Sequence, residues 1–368
     1  MLACYPLAAT QENWLHETLV ALIQLVHQKL DASQAIPETQ QRWRALLDVV
    51  INNPHKRLLI PLRGVRDRLF AYKREVANLS NGERAQIFGV LESQNQIVNL
   101  LADAEPISSI EQDFPLVNTR ARELFEFCYG KLTDLEVRER QYAIVFNAIP
   151  DKICPFCGIE RLMNPEETAQ DQDHYLAKSI YPFAAANMRN LVPMCRVCNR
   201  DYKKDIDVIR DDQGNRRTAF DPYNCQPVTV ELNNSAMDSG SGRPIPSWQI
   251  EFQPSSNEAE TWDNVFSIRK RYKRDVLDNS FDRWMRGFAK KCERDRVRGL
   301  IQQEFNDAEV RVVLANYQQD KEDSPAIGGD FLEPKAFKFL LSEFDEGNER
   351  IIRMIRDAVV GIDLGEVA

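Results

Sequence analysis

Two C-x-x-C pairs, Cys154-Pro-Phe-Cys157 and Cys195-Arg-Val-Cys198, stand 37 residues apart in this chain. Each pair offers two thiolates from one tight turn, and two such turns match a tetrahedral zinc ion with Zn–S near ~2.3 Å. A redox motif needs only one pair, so the doubled spacing predicts a metal site. Four thiolates close the coordination shell against water, which makes the expected zinc structural and not catalytic. Cys4, Cys128, Cys225 and Cys292 lack this spacing and read as small buried apolar residues without a function. Thiolates bound to metal suit a reducing compartment, with a disulfide framework as the weaker reading.

At 368 residues the chain suits two or three domains. Its longest apolar run, around Leu19 to Val26, is short of a membrane span, and the start lacks a basic signal region. The expected location is cytoplasmic. A net charge of -9 excludes general attraction to polyanions, so any nucleic-acid contact must use a local basic surface.

The expected fold class is mostly α, with a small α+β module set between helical regions. Residues 1–150 read as helical, 151–225 as the cysteine-bearing module, 226–256 as a hairpin-like connector and 257–368 as helical again. Leu15, Leu19, Leu22, Val26 and Leu30 make one apolar helix face. Ser80 and Glu83 form a capping-box pattern ahead of a helix expected to continue through Leu101. Residues 103–118 read as a connector, followed by helices over Thr119–Tyr129 and Thr133–Asn147. Val228–Leu232 and Trp248–Phe252 alternate like strands around a Ser/Gly-rich stretch, Ser235 to Ser241, and the chain is helical from about Trp262 with breaks at 323–330 and 346–348.

Between the cysteine pairs lie Asp171-Gln172-Asp173-His174, then Asn190-Leu191-Val192-Pro193, then Asn199-Arg200-Asp201-Tyr202-Lys203-Lys204 after Cys198. The order Asp-His, Asn, Asn inside a four-cysteine frame resembles the HNH nucleases and their cysteine-stapled subgroup. The resemblance covers about 75 of the 368 residues. It implies a zinc-stapled ββα-metal module: a hairpin carrying Asp173 and His174, a loop pinned by Asn190, and a helix from near Cys195 carrying Asn199. Hydrolysis of a phosphodiester needs a base for water and a cation for the phosphate charge. His174 is the expected base. Asp173 and Asn199 are the expected oxygen ligands of one magnesium or manganese ion. Relatives carry a lysine three positions after the last asparagine, where this chain has Tyr202, so phosphate contact falls to Arg200, Lys203 or Lys204. Phe220-Asp221-Pro222-Tyr223 reads as a proline turn with buried aromatics.

From Arg269 to Arg298 twelve Lys or Arg face five Asp or Glu, with Tyr272, Trp284 and Phe288 interleaved, which suits either phosphate contacts or a solvated basic helix face. A second basic run, Lys56 to Arg74, carries the same two readings. The functional expectation is a metal-dependent HNH endonuclease acting on nucleic acid. The resemblance favours DNA over RNA as its substrate, and a role in prokaryotic antiviral defence beside an ATPase partner. The alternative is a non-catalytic zinc-stapled nucleic-acid-binding or interaction scaffold. Oligomeric state is not legible.

Overall fold

In a computed structural model describing residues 1–167, 170–237, 245–298, 306–324 and 328–361, most of the chain is helical. The described strands pair as three two-stranded antiparallel sheets. Two compact units emerge, and they cut across the four sequence segments. One holds Ala3–Lys152 with Leu162–Gln226, and the other holds Ile153–Arg161 with Pro227–Ala368.

The first unit starts with α1 (Trp14–Asp31), α2 (Gln40–Val50), α3 (Asn53–Leu59) and α4 (Arg63–Val76). Helix α1 buries Leu15, Leu19, Leu22 and Val26 of the expected stripe, leaves Leu30 half-buried and adds Ile23. Each fully buried side chain of this kind contributes roughly 1.5–3 kcal/mol. Helix α5 (Asn81–Gln94) opens on a complete capping box: the Ser80 hydroxyl accepts from the Glu83 N–H (3.3 Å), and the Ser80 N–H donates to Glu83 Oε2 (2.7 Å). It does not run on to Leu101. The Asn95 amide donates to the Leu91 carbonyl (2.8 Å), and the chain breaks there before a short α6 (Ile97–Leu101). Helix α7 (Pro115–Asp134) begins earlier than its periodicity suggests, because Pro115 occupies a first-turn position where its missing N–H costs nothing. Glu136 in left-handed geometry turns the chain into α8 (Val137–Ala148).

These helices share one apolar core with the chain that follows. Phe183, Ala185, Ala186, Met188 and Leu191 belong to the same buried cluster as residues of α1, α2, α4, α5 and α7. Phe125 meets Phe183 edge to face at 5.6 Å. The strands β1 (Gln172–His174) and β2 (Leu191–Pro193) pair antiparallel, with Asp173 opposite Val192 and His174 opposite Leu191. Cys4 and Cys225 correct the sequence reading: they are joined by a disulfide, with Cα atoms 5.6 Å apart. The pairing spans 221 positions, and the fold makes it by laying the first residues beside the 221–225 turn, where the Tyr5 N–H donates to the Pro222 carbonyl (2.8 Å).

In the second unit β3 (Thr229–Glu231) pairs with β6 (Glu251–Gln253), and β4 (Ala236–Met237) with β5 (Pro246–Ser247). The expected strand pair therefore forms, while residues 238–241 of the Ser/Gly-rich stretch lie outside the described residues. Helix α9 (Asn257–Phe266) is capped by the Ser256 hydroxyl, which accepts from the Ala259 N–H (3.2 Å). It is followed by α10 (Ile268–Arg271), α11 (Asp278–Val297), α12 (Asp307–Glu322), α13 (Glu333–Asp345) and α14 (Glu349–Val360). The break expected at 323–330 falls partly outside the described residues, and the one at 346–348 separates α13 from α14. Trp248, Phe281 and Phe339 form one aromatic contact set, and Phe288, Tyr317 and Phe337 another. The basic stretch is partly neutralised within this unit: Arg269 binds Glu260 and Asp263, Lys273 binds Asp278, Arg283 binds Asp330, and Lys291 binds Asp295 and Asp320.

Two buried histidines of the first unit make its stability depend on pH. Burial lowers His16 to about 4 and, aided by the nearby Arg84, lowers His27 to about 4. In the unfolded chain both titrate near ~6.5. Above that value neither state binds the proton. As pH falls from about 6.5 to about 4 only the unfolded state does, so stability drops by on the order of 1 kcal/mol per pH unit per histidine. His16 Nδ1 has no hydrogen-bond partner, so His16→Leu removes a titration without breaking a bond. Urea unfolding at pH 7.5, 6 and 5 should show this loss in the wild type and a shallower one in the variant. Equal slopes would refute it.

Candidate functional site

Every residue of β1 is buried, and the strand is fastened at its start by side-chain amides. The Gln172 amide donates to the Arg138 carbonyl (2.8 Å), and its carbonyl oxygen accepts from Arg138 Nε (2.8 Å). Gln170 donates to the Met194 carbonyl (2.6 Å). Polar side chains thus take over where a three-residue ladder has too few backbone bonds to hold a register.

Asn190 lies just before β2 and is fully buried. Its side-chain oxygen accepts from the Leu176 N–H (2.7 Å), and its amide donates to the carbonyls of Leu176 (3.0 Å) and Ala184 (3.2 Å). Both ends of the 176–184 loop are therefore tied to one side chain. The outcome is felt at Ala185, whose carbonyl lies 2.9 Å from His174 Nε2. A carbonyl only accepts, so Nε2 carries the proton and Nδ1 keeps its lone pair. The Tyr129 ring packs 4.3 Å from the imidazole, centroid to centroid. Burial lowers the His174 pKa to about 3, against the Ala185 hydrogen bond that raises it. The imidazole is neutral at physiological pH.

Asp173 and Lys203 form the electrostatic centre. The ammonium lies 3.1 Å from Asp173 Oδ2 and donates to the His174 carbonyl (3.0 Å), with Lys203 fully buried and Asp173 6% exposed. The approach to Oδ2 is off the line a hydrogen bond requires, leaving that oxygen with a Coulombic neighbour and no hydrogen-bond donor. Burial raises the Asp173 pKa, and Lys203 opposes that rise. Lys203 therefore does not occupy the solvent-facing position that a contact to substrate phosphate needs. It is an internal counter-ion, and the cost of burying its charge is what ties it to Asp173.

The expected helix near Asn199 is a π-helical segment, Val197–Lys203, closed by the Lys204 N–H donating to the Asn199 carbonyl (2.8 Å). Such wide turns recur at functional sites. The Asn199 side chain is half-buried and makes no hydrogen bond among the described residues. Arg200 is exposed and grips Asp171 with two bonds of 2.7 and 2.9 Å, while Lys204 is exposed with no ion-pair partner among the described residues. The structure thus joins Lys203 to Asp173 by an ion pair and to the His174 carbonyl by a hydrogen bond, reaches His174 from Asn190 only through the loop that leads to Ala185, and holds Arg200 on Asp171.

The sulfur atoms of Cys154, Cys157, Cys195 and Cys198 all lie within 4.8 Å of one another, and all four residues are buried. Backbone N–H groups aim at two of them: Ile159 at Cys157 Sγ (3.5 Å) and Cys198 at Cys195 Sγ (3.4 Å). Gly158 turns the first pair with φ +64°. Among the described residues no other group of three or more His, Cys, Asp or Glu clusters this way, and no helix is long and apolar enough to cross a membrane. In the 220–223 turn Phe220 and Tyr223 are buried, and Asp221 pairs with Arg189. Tyr129, Arg138 and the Ala185 carbonyl escaped the sequence reading, since nothing local marks a residue that reaches the site from another element.

Set against known proteins, the chain matches no family model, no curated protein and no solved structure.

The Asp173–Lys203 assignment is testable by a double-mutant cycle. Lys203→Met leaves a buried carboxylate unpaired and should cost about 3–5 kcal/mol in urea unfolding. Adding Asp173→Asn should recover much of that loss. A neutral Lys203→Met would mean that the ammonium does not hold the site together.

Proposed function

We propose that this chain is a metal-dependent nuclease of the HNH kind that hydrolyses phosphodiester bonds, with DNA as its substrate and a structural zinc ion at the four cysteines. The observation that carries this reading is the hydrogen bond from His174 Nε2 to the Ala185 carbonyl (2.9 Å), which reserves Nδ1 as a proton acceptor. A buried imidazole held neutral is ready to take a proton at pH 7, and a phosphate anion placed beside it favours the imidazolium that results. Asn190 serves this arrangement by anchoring the loop on which Ala185 sits.

The four-sulfur donor set, closed and buried with N–H groups directed at sulfur, fits zinc and leaves no open position for substrate. Magnesium or manganese is a less complete fit. Asp173 offers a buried carboxylate oxygen without a hydrogen-bond donor, and Asn199 offers an unbonded amide, which are hard oxygen donors. When bound, the ion would neutralise charge developing on the phosphate. The ammonium of Lys203, 3.1 Å from Asp173, competes with it. That observation favours a second reading, in which the zinc-bearing chain binds nucleic acid without cutting it.

Two measurements separate these readings. Supercoiled plasmid incubated with wild-type protein and magnesium or manganese should be nicked or cut, and His174→Ala should lower the rate by about 10²–10⁴-fold. Equal cutting by both proteins would remove His174 from the chemistry. Plasmid retarded on a gel but never cut, with zinc retained, would establish the binding module instead. Metal analysis should give one zinc per chain, lost together with much of the thermal stability in Cys157→Ser or Cys195→Ser, since a structural zinc contributes on the order of 10 kcal/mol to folding. Full stability without zinc would refute that assignment.

A further inference from the structure

Side chains alternate along a strand, so Gln172 and His174 share one face of β1 and Asp173 takes the other. The Asp173 face is closed by Lys203, which is fully buried. The His174 face is covered instead by helices outside the cysteine-framed segment. Tyr129 of α7 packs its ring 4.3 Å from the imidazole, and Arg138 of α8 donates through Nε to Gln172 Oε1 (2.8 Å). Two cations then stand against Tyr129 itself: the Arg138 guanidinium carbon is 4.8 Å from the ring centroid and the Lys178 ammonium 5.9 Å. One half-buried ring thus links the candidate base to both positive charges.

Neither charge has a firm counter-ion. Arg138 is half-buried, yet its other bond goes to the neutral Thr133 hydroxyl (3.1 Å), its Nη2 donates to nothing, and no carboxylate pairs with it among the described residues. A guanidinium withdrawn from water is normally paired. Here it is held in place instead by Gln172, which also binds the Arg138 carbonyl. Lys178 is 41% exposed and its ammonium makes no hydrogen bond among the described residues; the carboxylate beside it, on Glu126, is 3.7 Å away. By contrast, Lys131 of α7 holds Asp134 at 2.6 Å, and Arg140 of α8 holds Glu12 at 2.5 Å.

We propose that Arg138 and Lys178 hold a backbone phosphate of nucleic acid next to His174, the role that burial denies to Lys203. The planar fork of an arginine and the point charge of a lysine neutralise a phosphodiester in complementary ways. Such contacts fix position and carry no sequence preference. The proposal rests on the reading of His174 as the place of the chemistry, and it adds to that site a part supplied by α8 and the 176–184 loop.

Anisotropy of a labelled DNA duplex, titrated with the full chain at several salt concentrations and without added divalent cations, tests the contacts apart from cutting. Loss of one phosphate contact should reduce the magnitude of the slope of log K against log salt by about 0.9. Arg138→Gln and Lys178→Gln should each show that drop, with binding weakened severalfold and equally on duplexes of unrelated sequence. Arg138→Lys should recover most of the slope because the charge remains. Lys131→Gln and Arg140→Gln, which remove the same charge from the same two helices, should keep the wild-type slope. Arg138 also fastens β1, so a melting curve checks its variants, and Lys178→Gln, which breaks no hydrogen bond, gives the answer if they unfold. A wild-type slope in Lys178→Gln, an equal drop in the two control variants, or no salt-dependent binding by the wild type would overturn the proposal. Its failure is distinct from that of the nuclease reading. Unchanged slopes beside plasmid that the wild type cuts and His174→Ala spares would remove these contacts alone; reduced slopes without cutting would keep the contacts and favour the binding module.

Discussion

An ammonium sealed from water must find negative charge and acceptors inside the protein, and Lys203 finds both on one strand. It meets the Asp173 carboxylate and the His174 carbonyl in consecutive residues of β1, and so fastens the π-helical segment to the strand. The separate desolvation of either charge would cost several kcal/mol, and their attraction offsets this only while the spacing near 3 Å is kept. The position of His174 inherits that constraint. Its backbone is held by Lys203 and its ring by Ala185, so the imidazole has little freedom to turn.

The second support comes from the helices. Phe183, Ala185, Ala186, Met188 and Leu191 lie in the core that α1, α4, α5 and α7 build, and polar bonds from Gln94, Asn95 and Asn13 hold Phe183, Asn187 and Met188 in place. A loop of this length would be mobile if its residues were solvated. Here its apolar side chains contribute to a shared core, so displacing Ala185 would also open cavities among the helices. The helical region is thus part of the machinery that orients His174, although no residue of α1 or α5 bonds to that ring.

What could be read from the sequence was what local chemistry determines. The apolar stripe of α1, the Ser80–Glu83 capping box and the doubled C-x-x-C turns each depend on residues a few positions apart, and each has its counterpart in the structure. The break at Asn95 was hidden because a side chain that competes with the backbone looks like any other helix-tolerated asparagine until its partner is known. Lys203 looked like a surface lysine because burial of a charge is decided by a partner thirty residues away. The Cys4–Cys225 bond spans 221 positions and has no local signature at all.

The basic stretch from Arg269 onward shows how composition and structure part company. Its excess of positive charge reads as a surface for phosphate, yet the structure sets carboxylates against part of it, and Glu260 and Asp263 alone hold Arg269 through four bonds of 2.6–2.9 Å. Exposed pairs of this kind contribute about 0–1 kcal/mol each to stability, so they would not by themselves resist exchange for phosphate oxygens. What they change is the net field. A cation already neutralised attracts a polyanion weakly at long range, and salt screens what remains beyond roughly 8–10 Å. Steering of nucleic acid toward the chain would then depend on cations left without a partner. Beside the candidate site Lys204, exposed at the end of the π-helical segment, is one such cation among the described residues, while Arg200 stays on Asp171 until a stronger acceptor draws it away.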